Sequence, residues 1–263
     1  MTLFGTAGIR GDVRNAVDPE LALTVGRAAA LHATASSSSP VSFALGIDGR
    51  ETSEGLAAAA AAGLASGGAA VEQLGQVPTP ALAFAARDRH GLMITASHNP
   101  PTDNGIKLFR DGVEYDGEVE AGVEEIVDTS PKPVAWNEWG TIRDGTVLDA
   151  YRSAVVDYLT EQFPDAVSAL AGHRVAIDCG NGVAGLATPQ ILGALGAKPV
   201  ALNANVDGSF PARESKPTPE SLTGLRRLVA ADDQIQLGIG HDGDGDRLAV
   251  VGPDGDVVHE DTV

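Results

Sequence analysis

Apolar and polar positions along this chain fall into blocks whose period changes, and the blocks predict alternating strands and helices. Val41-Ser42-Phe43-Ala44-Leu45-Gly46-Ile47 is a short apolar run that ends at Asp48-Gly49, the pattern of a buried strand and its turn. Alanine-rich stretches with few breakers flank it, and Pro19 to Ala33 and Ser53 to Ala65 read as helices. Ala69 to Leu74 is a second strand, Pro80 to Arg89 a helix, and Gly91-Leu92-Met93-Ile94-Thr95 a short buried strand. A helix is expected from Val147 to Gln162. The rhythm then restarts with a strand at Arg174 to Asp178, a helix near Ala184 to Leu195 and a strand at Lys198 to Leu202. A polar loop from Asn203 to Pro217, a helix near Pro219 to Ala230 and a strand at Gln236 to Ile239 complete the pattern.

Strands alternating with helices predict an α/β protein of two layered domains with mixed, mostly parallel sheets. The stretch Asp128 to Gly145 breaks the rhythm with Pro131, Pro133, both tryptophans and several charges, which suits an interdomain connection. The expected division is a first domain over 1–140, a linker and bridging helix over 141–165, and a second domain over 166–263.

The 263 residues are 43% hydrophobic but only 4% aromatic, so the cores must be filled by Ala, Val, Leu and Ile. No apolar run reaches membrane-spanning length. Met1-Thr2-Leu3-Phe4-Gly5 lacks the basic-then-apolar pattern of a secretory signal, so the expected compartment is the cytoplasm. Cys179 stands alone, which excludes an intrachain disulfide and a cysteine zinc site; it reads as a small buried residue at a strand end.

Asp242-Gly243-Asp244-Gly245-Asp246-Arg247 is the strongest chemical signal. In an extended segment residues i, i+2 and i+4 point the same way, so three carboxylates would converge. Carboxylates about 5 Å apart repel by roughly 3 kcal/mol per pair at an effective dielectric of 20, which calls for a cation or a proton. Hard oxygen ligands favour Mg²⁺ or Ca²⁺. An EF-hand is excluded, because Arg247 holds the place of its glycine and Pro253 that of its bidentate glutamate. A solvated acidic turn is the bland alternative. Arg247 argues against it, since a cation beside a metal cluster suits a phosphate that shares the metal.

Thr95-Ala96-Ser97-His98-Asn99-Pro100 leaves the carboxyl end of a strand, where open α/β sheets place ligands. Asn99-Pro100-Pro101 keeps the loop from becoming a helix. Asp103-Asn104-Gly105 is expected to turn the chain back, returning Lys107 towards Ser97 with Ile106 and Leu108 facing inward. Taken alone, the Ser-His adjacency is equally well loop polarity. Asp178-Cys179-Gly180-Asn181-Gly182-Val183-Ala184-Gly185 is glycine-rich and could attract an anion. It reads as a tight strand-to-helix turn, and without a complete GxGxxG spacing a dinucleotide site is not expected.

TASHNP at 95–100 followed by DNGIK at 103–107, FGTAGIRG at 4–11 and DGDGDR at 242–247 resemble, in order and spacing, the motifs of the α-D-phosphohexomutases (phosphoglucomutases, phosphomannomutases and phosphoglucosamine mutases). The resemblance spans essentially the whole chain. It implies that Ser97 carries a phosphoryl group, with one of its oxygens on Mg²⁺ held by Asp242, Asp244 and Asp246. It implies Lys107 as general acid/base, Arg10 and Arg247 as phosphate-stabilising cations, and His98 as a polar partner in the loop. Asp48-Gly49-Arg50 resembles a further family segment that would support the site, or is simply a structural turn. The implied chemistry moves phosphate between the 1- and 6-positions of a hexose phosphate through a hexose bisphosphate that serves as activator and intermediate. FGTAGIRG and DNGIK lean towards the phosphoglucosamine mutase branch.

Family members have four domains and about twice this length, so a sugar-reading third domain and a phosphate-clamping fourth are expected to be missing. A chain supplying them is a possible partner, and little turnover is expected without them. Two other readings compete: a metal-dependent phosphatase with a nucleophilic aspartate, and a non-catalytic two-domain interaction module.

Charge bounds the partners. There are 36 acidic against 18 basic residues, a formal net charge of −18, and of the basic residues 14 are Arg and four Lys. Such a surface repels phosphate backbones, so no nucleic acid is expected, and no membrane. Abundant Asp, scarce Lys and many Ala suit a halophilic protein, whose self-repulsion concentrated counterions screen. Thermal unfolding followed from low to molar KCl should show the melting temperature rising with salt; an unchanged melting temperature would remove the halophilic reading.

Overall fold

A computed structural model of the chain describes residues 3–5 and 8–258, so positions 6 and 7 of the 4–11 motif lie outside the described residues. The described residues form two compact units. One contains the residues up to Ala96 together with Pro101–Val147, the other Ser97–Pro100 together with the residues from Leu148 onwards. Both are α/β, and their sheets mix parallel and antiparallel pairs.

The first unit runs β1 (Ile9–Asp12), α1 (Pro19–Ala35), β2 (Ser42–Ile47), α2 (Ser53–Ser66), β3 (Ala70–Gln76), α3 (Thr79–Ala85), β4 (His90–Ile94), β5 (Asp103–Arg110), β6 (Val113–Glu114), α4 (Gly117–Asp128) and β7 (Ile142–Asp144). The sheet order is β1-β5-β4-β2-β3-β7, with β6 on β5. The central strand β2 is parallel to both β3 and β4 and buried from Phe43 to Ile47. A strand covered on both faces needs a continuous apolar run rather than alternation, which is the pattern of residues 43–47. Asp18 caps α1 by accepting a hydrogen bond from the Leu21 amide at 2.8 Å, and Pro19 opens the first turn. Small side chains such as Ala28, Ala29, Ala60 and Ala61 are wholly or almost wholly buried, which lets this helical layer pack close with few aromatics.

Two expectations change here. Asp103-Asn104-Gly105 is not a turn but the start of β5, which pairs antiparallel with β1 and β4. The Asn104 amide donates to Thr52 Oγ1 at 3.0 Å and to Ser53 Oγ at 2.9 Å. Tertiary partners thus satisfy the side chain that would otherwise favour a turn. Ile106 and Leu108 are buried, and so is Lys107 between them. Second, the first unit extends past 140. Val134 N and Gly140 N donate to the carbonyls of Ser66 and Ala65, both at 2.9 Å, and β7 then adds in parallel to β3.

The second unit runs α5 (Leu148–Gln162), α6 (Pro164–Leu170), β8 (Arg174–Asp178), α7 (Thr188–Ala194), β9 (Lys198–Leu202), α8 (Thr223–Ala231), β10 (Ile235–His241) and β11 (Leu248–Val251), with sheet order β11-β10-β8-β9. Strand β8 is parallel to β9 and β10, and β11 is antiparallel to β10. The α8 residues Leu225 and Val229 are buried with Leu222, Ala176 and Val251. The α5 residues Tyr151, Val155 and Leu159 pack with Ile191 and Leu195, so the helix expected to bridge belongs to this unit. The helix expected over 184–195 is split into a 3₁₀ turn at Val183–Leu186 and α7, whose first turn carries Pro189. Among the described residues no helix is long and apolar enough to cross a membrane.

His90 stacks on Phe43, ring centroids 4.9 Å apart, and its Nδ1 shares a 2.7 Å hydrogen bond with the Tyr115 hydroxyl. Burial pulls its pKa below 6.5, with Arg110 acting in the same direction. The folded state therefore binds its proton less readily than the unfolded state, and the contribution is complete above the unfolded value. It is lost as pH falls through 6.5 towards the lowered folded value. Urea midpoints measured between pH 7.5 and 5 should fall less steeply for His90→Gln than for the parent chain.

Candidate metal and phosphoryl site

The Asp242–Arg247 loop leaves the carboxyl end of β10, beside the Asp178–Gly182 turn that leaves β8. These parallel strands pair with Gly240 opposite Asp178. The loop is not extended, as the i, i+2, i+4 argument assumed. It is curled: Asp242 N donates to Arg247 O at 3.3 Å, Arg247 N donates to Asp242 Oδ1 at 3.2 Å, and Gly245 has φ 71°. Convergence of the three acids is therefore a product of the turn. Oxygens of Asp242, Asp244 and Asp246 lie within 4.8 Å of one another, with Asp242 and Asp244 buried and Asp246 exposed.

Burial, then repulsion from Asp244 and Asp246, pushes the Asp242 carboxyl up to about 8. Three carboxylates that converge in this way form an all-oxygen donor set, which fits a hard divalent metal.

Ser97 is fully buried in the same unit, and its hydroxyl donates to Asp242 Oδ2 at 2.7 Å. Its φ of 51° places it in the left-handed region, which costs a non-glycine residue about 1–2 kcal/mol and persists only where surroundings impose it. Arg247 reaches over the same atoms: its Nη2 is 3.4 Å from Ser97 Oγ, and its Nε is 3.6 Å from Asp246 Oδ1 and 3.9 Å from Asp242 Oδ2. His98 and Arg247 line a cleft of about 450 Å³ together with Lys216, Leu248 and Val250.

The remaining expected residues lie in the first unit. Arg10 sits on β1 opposite Gly105, and its Nε and Nη2 are buried without a hydrogen-bond acceptor among the described residues. Lys107 is buried on β5 opposite Met93. Asp48 is wholly buried and accepts four hydrogen bonds, from Arg50 N and Nε, Ser53 Oγ and Thr95 Oγ1. Burial raises its pKa and the Arg50 guanidinium opposes the shift. The Asp48-Gly49-Arg50 segment thus holds Thr95, at the root of the serine loop. Cys179 is buried, and its thiol is pushed up to about 12 by burial, which makes it inert.

Sequence reading missed Lys216, Phe210 and Arg213. Their signal was faint: a single aromatic and two cations in the polar loop 203–217.

Residues 1–133 match the family model for phosphoglucomutase/phosphomannomutase, alpha/beta/alpha domain I, and residues 153–255 match the model for domain II. The chain belongs to the phosphoglucomutase/phosphomannomutase family, of which it carries the first two domains. It is 40% identical over 267 residues to the phosphopentomutase of Thermococcus kodakarensis, covering 100% of this chain and 56% of that protein. It is 38% identical over 265 residues to a probable phosphoglucosamine mutase of Methanopyrus kandleri, covering 99% and 56%. A phosphoglucomutase/phosphomannomutase family protein of Burkholderia thailandensis superposes with TM-score 0.86 at 30% identity, covering 99% of this chain and 56% of that one. The chain spans about half the length of the curated relatives it matches.

Gly243 carries the tightest packing of the metal loop. A Cβ there would stand 2.7 Å from the Ser97 carbonyl oxygen and 3.2 Å from the Phe210 ring. Gly243→Ala should lower stability by about 1–3 kcal/mol in urea unfolding, an overpacking cost in a site whose neighbours are backbone and ring. An unchanged midpoint would show that the loop yields freely.

Proposed function

We propose that this chain carries the phosphoryl-transfer half of a magnesium-dependent phosphosugar mutase, with Ser97 as the phosphoryl carrier. The observation that supports this most directly is the 2.7 Å hydrogen bond from Ser97 Oγ to the carboxylate cluster. A phosphate on Ser97 would add about −1.5 to −2 charges beside that cluster, an arrangement that only a cation makes tolerable. Asp242, Asp244 and Asp246 would hold Mg²⁺, which when bound neutralises charge on the transferring phosphoryl group.

The reaction of these residues balances simply. The bond from Ser97 Oγ to phosphorus breaks as a sugar hydroxyl oxygen bonds to phosphorus; the hydroxyl proton goes to a base, and Ser97 Oγ keeps the bonding electron pair and takes up a proton to become a hydroxyl. Return of the other phosphate of the resulting bisphosphate to Ser97 completes the exchange. Lys107 is proposed for the proton on the strength of its DNGIK motif, and it must first be neutral to accept one. Arg10 is proposed as a phosphate ligand, and its two buried N–H groups without described acceptors suit an anion. Arg247, His98 and Lys216 line the cleft with polar and cationic groups that would suit a sugar phosphate.

Hexose phosphates, glucosamine phosphate among them, are the proposed substrates, and the pentose named for the Thermococcus relative is the alternative to test beside them. The chain incubated with a hexose or pentose 1,6- or 1,5-bisphosphate and Mg²⁺ should gain one phosphoryl group on Ser97, located by peptide mass spectrometry. Ser97→Ala should abolish the label, and chelation of Mg²⁺ or Asp244→Asn should slow labelling by about 100-fold or more. Label on an aspartate instead would establish the phosphatase reading, and absence of label with every bisphosphate would overturn the proposal.

A further inference from the structure

The polar loop between β9 and α8 sends side chains to both the serine loop and the metal loop of the second unit. Arg213 is the centre of this arrangement. Its side chain is 4% exposed and its Nε donates to Asp178 Oδ2 at 3.1 Å. Its Nη2 donates to the carbonyl oxygen of His241 at 2.6 Å and to that of Asp178 at 3.2 Å, and its Nη1 donates to Glu214 O at 2.9 Å. His241 is the last residue of β10, so its carbonyl is bonded to the nitrogen of Asp242. One planar guanidinium therefore joins the end of β8 to the end of β10.

The surroundings fit that role. Gly180 has φ 55°, and a Cβ there would lie 2.6 Å from Arg213 Nη2, so the glycine leaves space for the guanidinium. The other Asp178 oxygen accepts from Gly180 N at 2.9 Å and Asn203 Nδ2 at 3.0 Å, which fixes the carboxylate that Arg213 grips. Elsewhere in the same loop Phe210, itself at φ 49°, places its ring against Gly243. Ser215 Oγ donates to the carbonyl of Asn99 at 3.2 Å, in the serine segment. The loop thus touches residues 99, 241 and 243, which flank Ser97 and the three aspartates.

We propose that Arg213 is a positioning residue for the metal loop: it sets the direction in which Asp242 leaves β10, and with it the spacing of the three carboxylates. The proposal rests on the reading of those carboxylates as a magnesium site. A guanidinium can do this because its fork reaches a carboxylate and a carbonyl at once in fixed geometry, whereas an ammonium is a point donor on a flexible stem. Outer residues that orient metal ligands typically change affinity by 10–100-fold when altered.

The test is Mg²⁺ and Mn²⁺ titration of the full chain, by calorimetry and by the Mn²⁺ electron paramagnetic resonance signal, well below the melting temperature. Arg213→Lys keeps a positive charge beside Asp178 and should bind either metal about tenfold more weakly than the parent. Arg213→Gln should lose more, if it folds. Val229→Ala, a cavity in the α8 face of the same unit, serves as the control for general destabilisation. It should lower the melting temperature and leave metal affinity within about twofold. Equal affinity in Arg213→Lys and parent, or an equal loss in Val229→Ala, would overturn the positioning role. Failure of the parent chain to bind either metal would instead overturn the magnesium reading on which it rests.

Discussion

Three carboxylates drawn within 4.8 Å of one another, two of them buried, are the costly element of this structure, and much of the second unit is arranged to hold them there. Water screens such groups poorly once they are buried, so their mutual repulsion must be relieved by a proton or by a cation. The raised pKa of Asp242 is the proton answer. The all-oxygen geometry and the hydroxyl of Ser97 beside it favour the cation answer when a divalent metal is present. The same constraint explains why the loop is glycine-rich. Side chains at 243 would collide with Ser97 and Phe210, so only the acids project from the turn towards a common point.

The fold supplies the place for this arrangement without itself specifying the chemistry. Parallel strands β8 and β10 end side by side, and the turns that follow them are locked by a hydrogen bond from Val183 N to Gly243 O at 3.1 Å. In the first unit, strand β2 is followed at once by Asp48, whose carboxylate gathers Arg50, Ser53 and Thr95. Each unit therefore closes a strand end with a buried aspartate–arginine pair, Asp48 with Arg50 and Asp178 with Arg213. Such pairs give little net stability after desolvation, but losing one partner strands a buried charge. Their effect is to fix the local geometry at the end of each strand, because a buried carboxylate and guanidinium satisfy one another in few arrangements.

Much of this was legible in the chain itself. The uniform apolar run at 43–47 and the breaker-free alanine stretches announce the buried strand and helices because burial on both faces erases alternation and small residues permit close packing. Ser97 and the three aspartates could be read as candidates because both motifs follow strand ends, and the structure brings them together. What stayed hidden depended on partners distant in sequence. Asn104 reads as a turn former until Thr52 and Ser53 claim its amide. Arg213 and Phe210 read as loop residues because nothing local shows that the carbonyl of His241 and the backbone of Gly243 lie beneath them. The weak two-residue and three-residue strands β6 and β7 carry too few positions for any period to emerge.

The division of labour among the cations follows from the same physics. Of 18 basic residues 14 are arginine, which an acidic surface alone does not explain, since either cation would offset it. Arg50 bonds Asp48 and the carbonyl of Asp103 at 2.9 Å, and Arg213 bonds Asp178 and three backbone carbonyls. Both are buried, where an ion must have all its donors satisfied, and a rigid fork satisfies several acceptors with one charge. Lys107 and Lys216 occupy a buried strand and a cleft wall instead. Arginine is thus the cation that closes the two strand ends, while Lys107 and Lys216 stand outside those pairs.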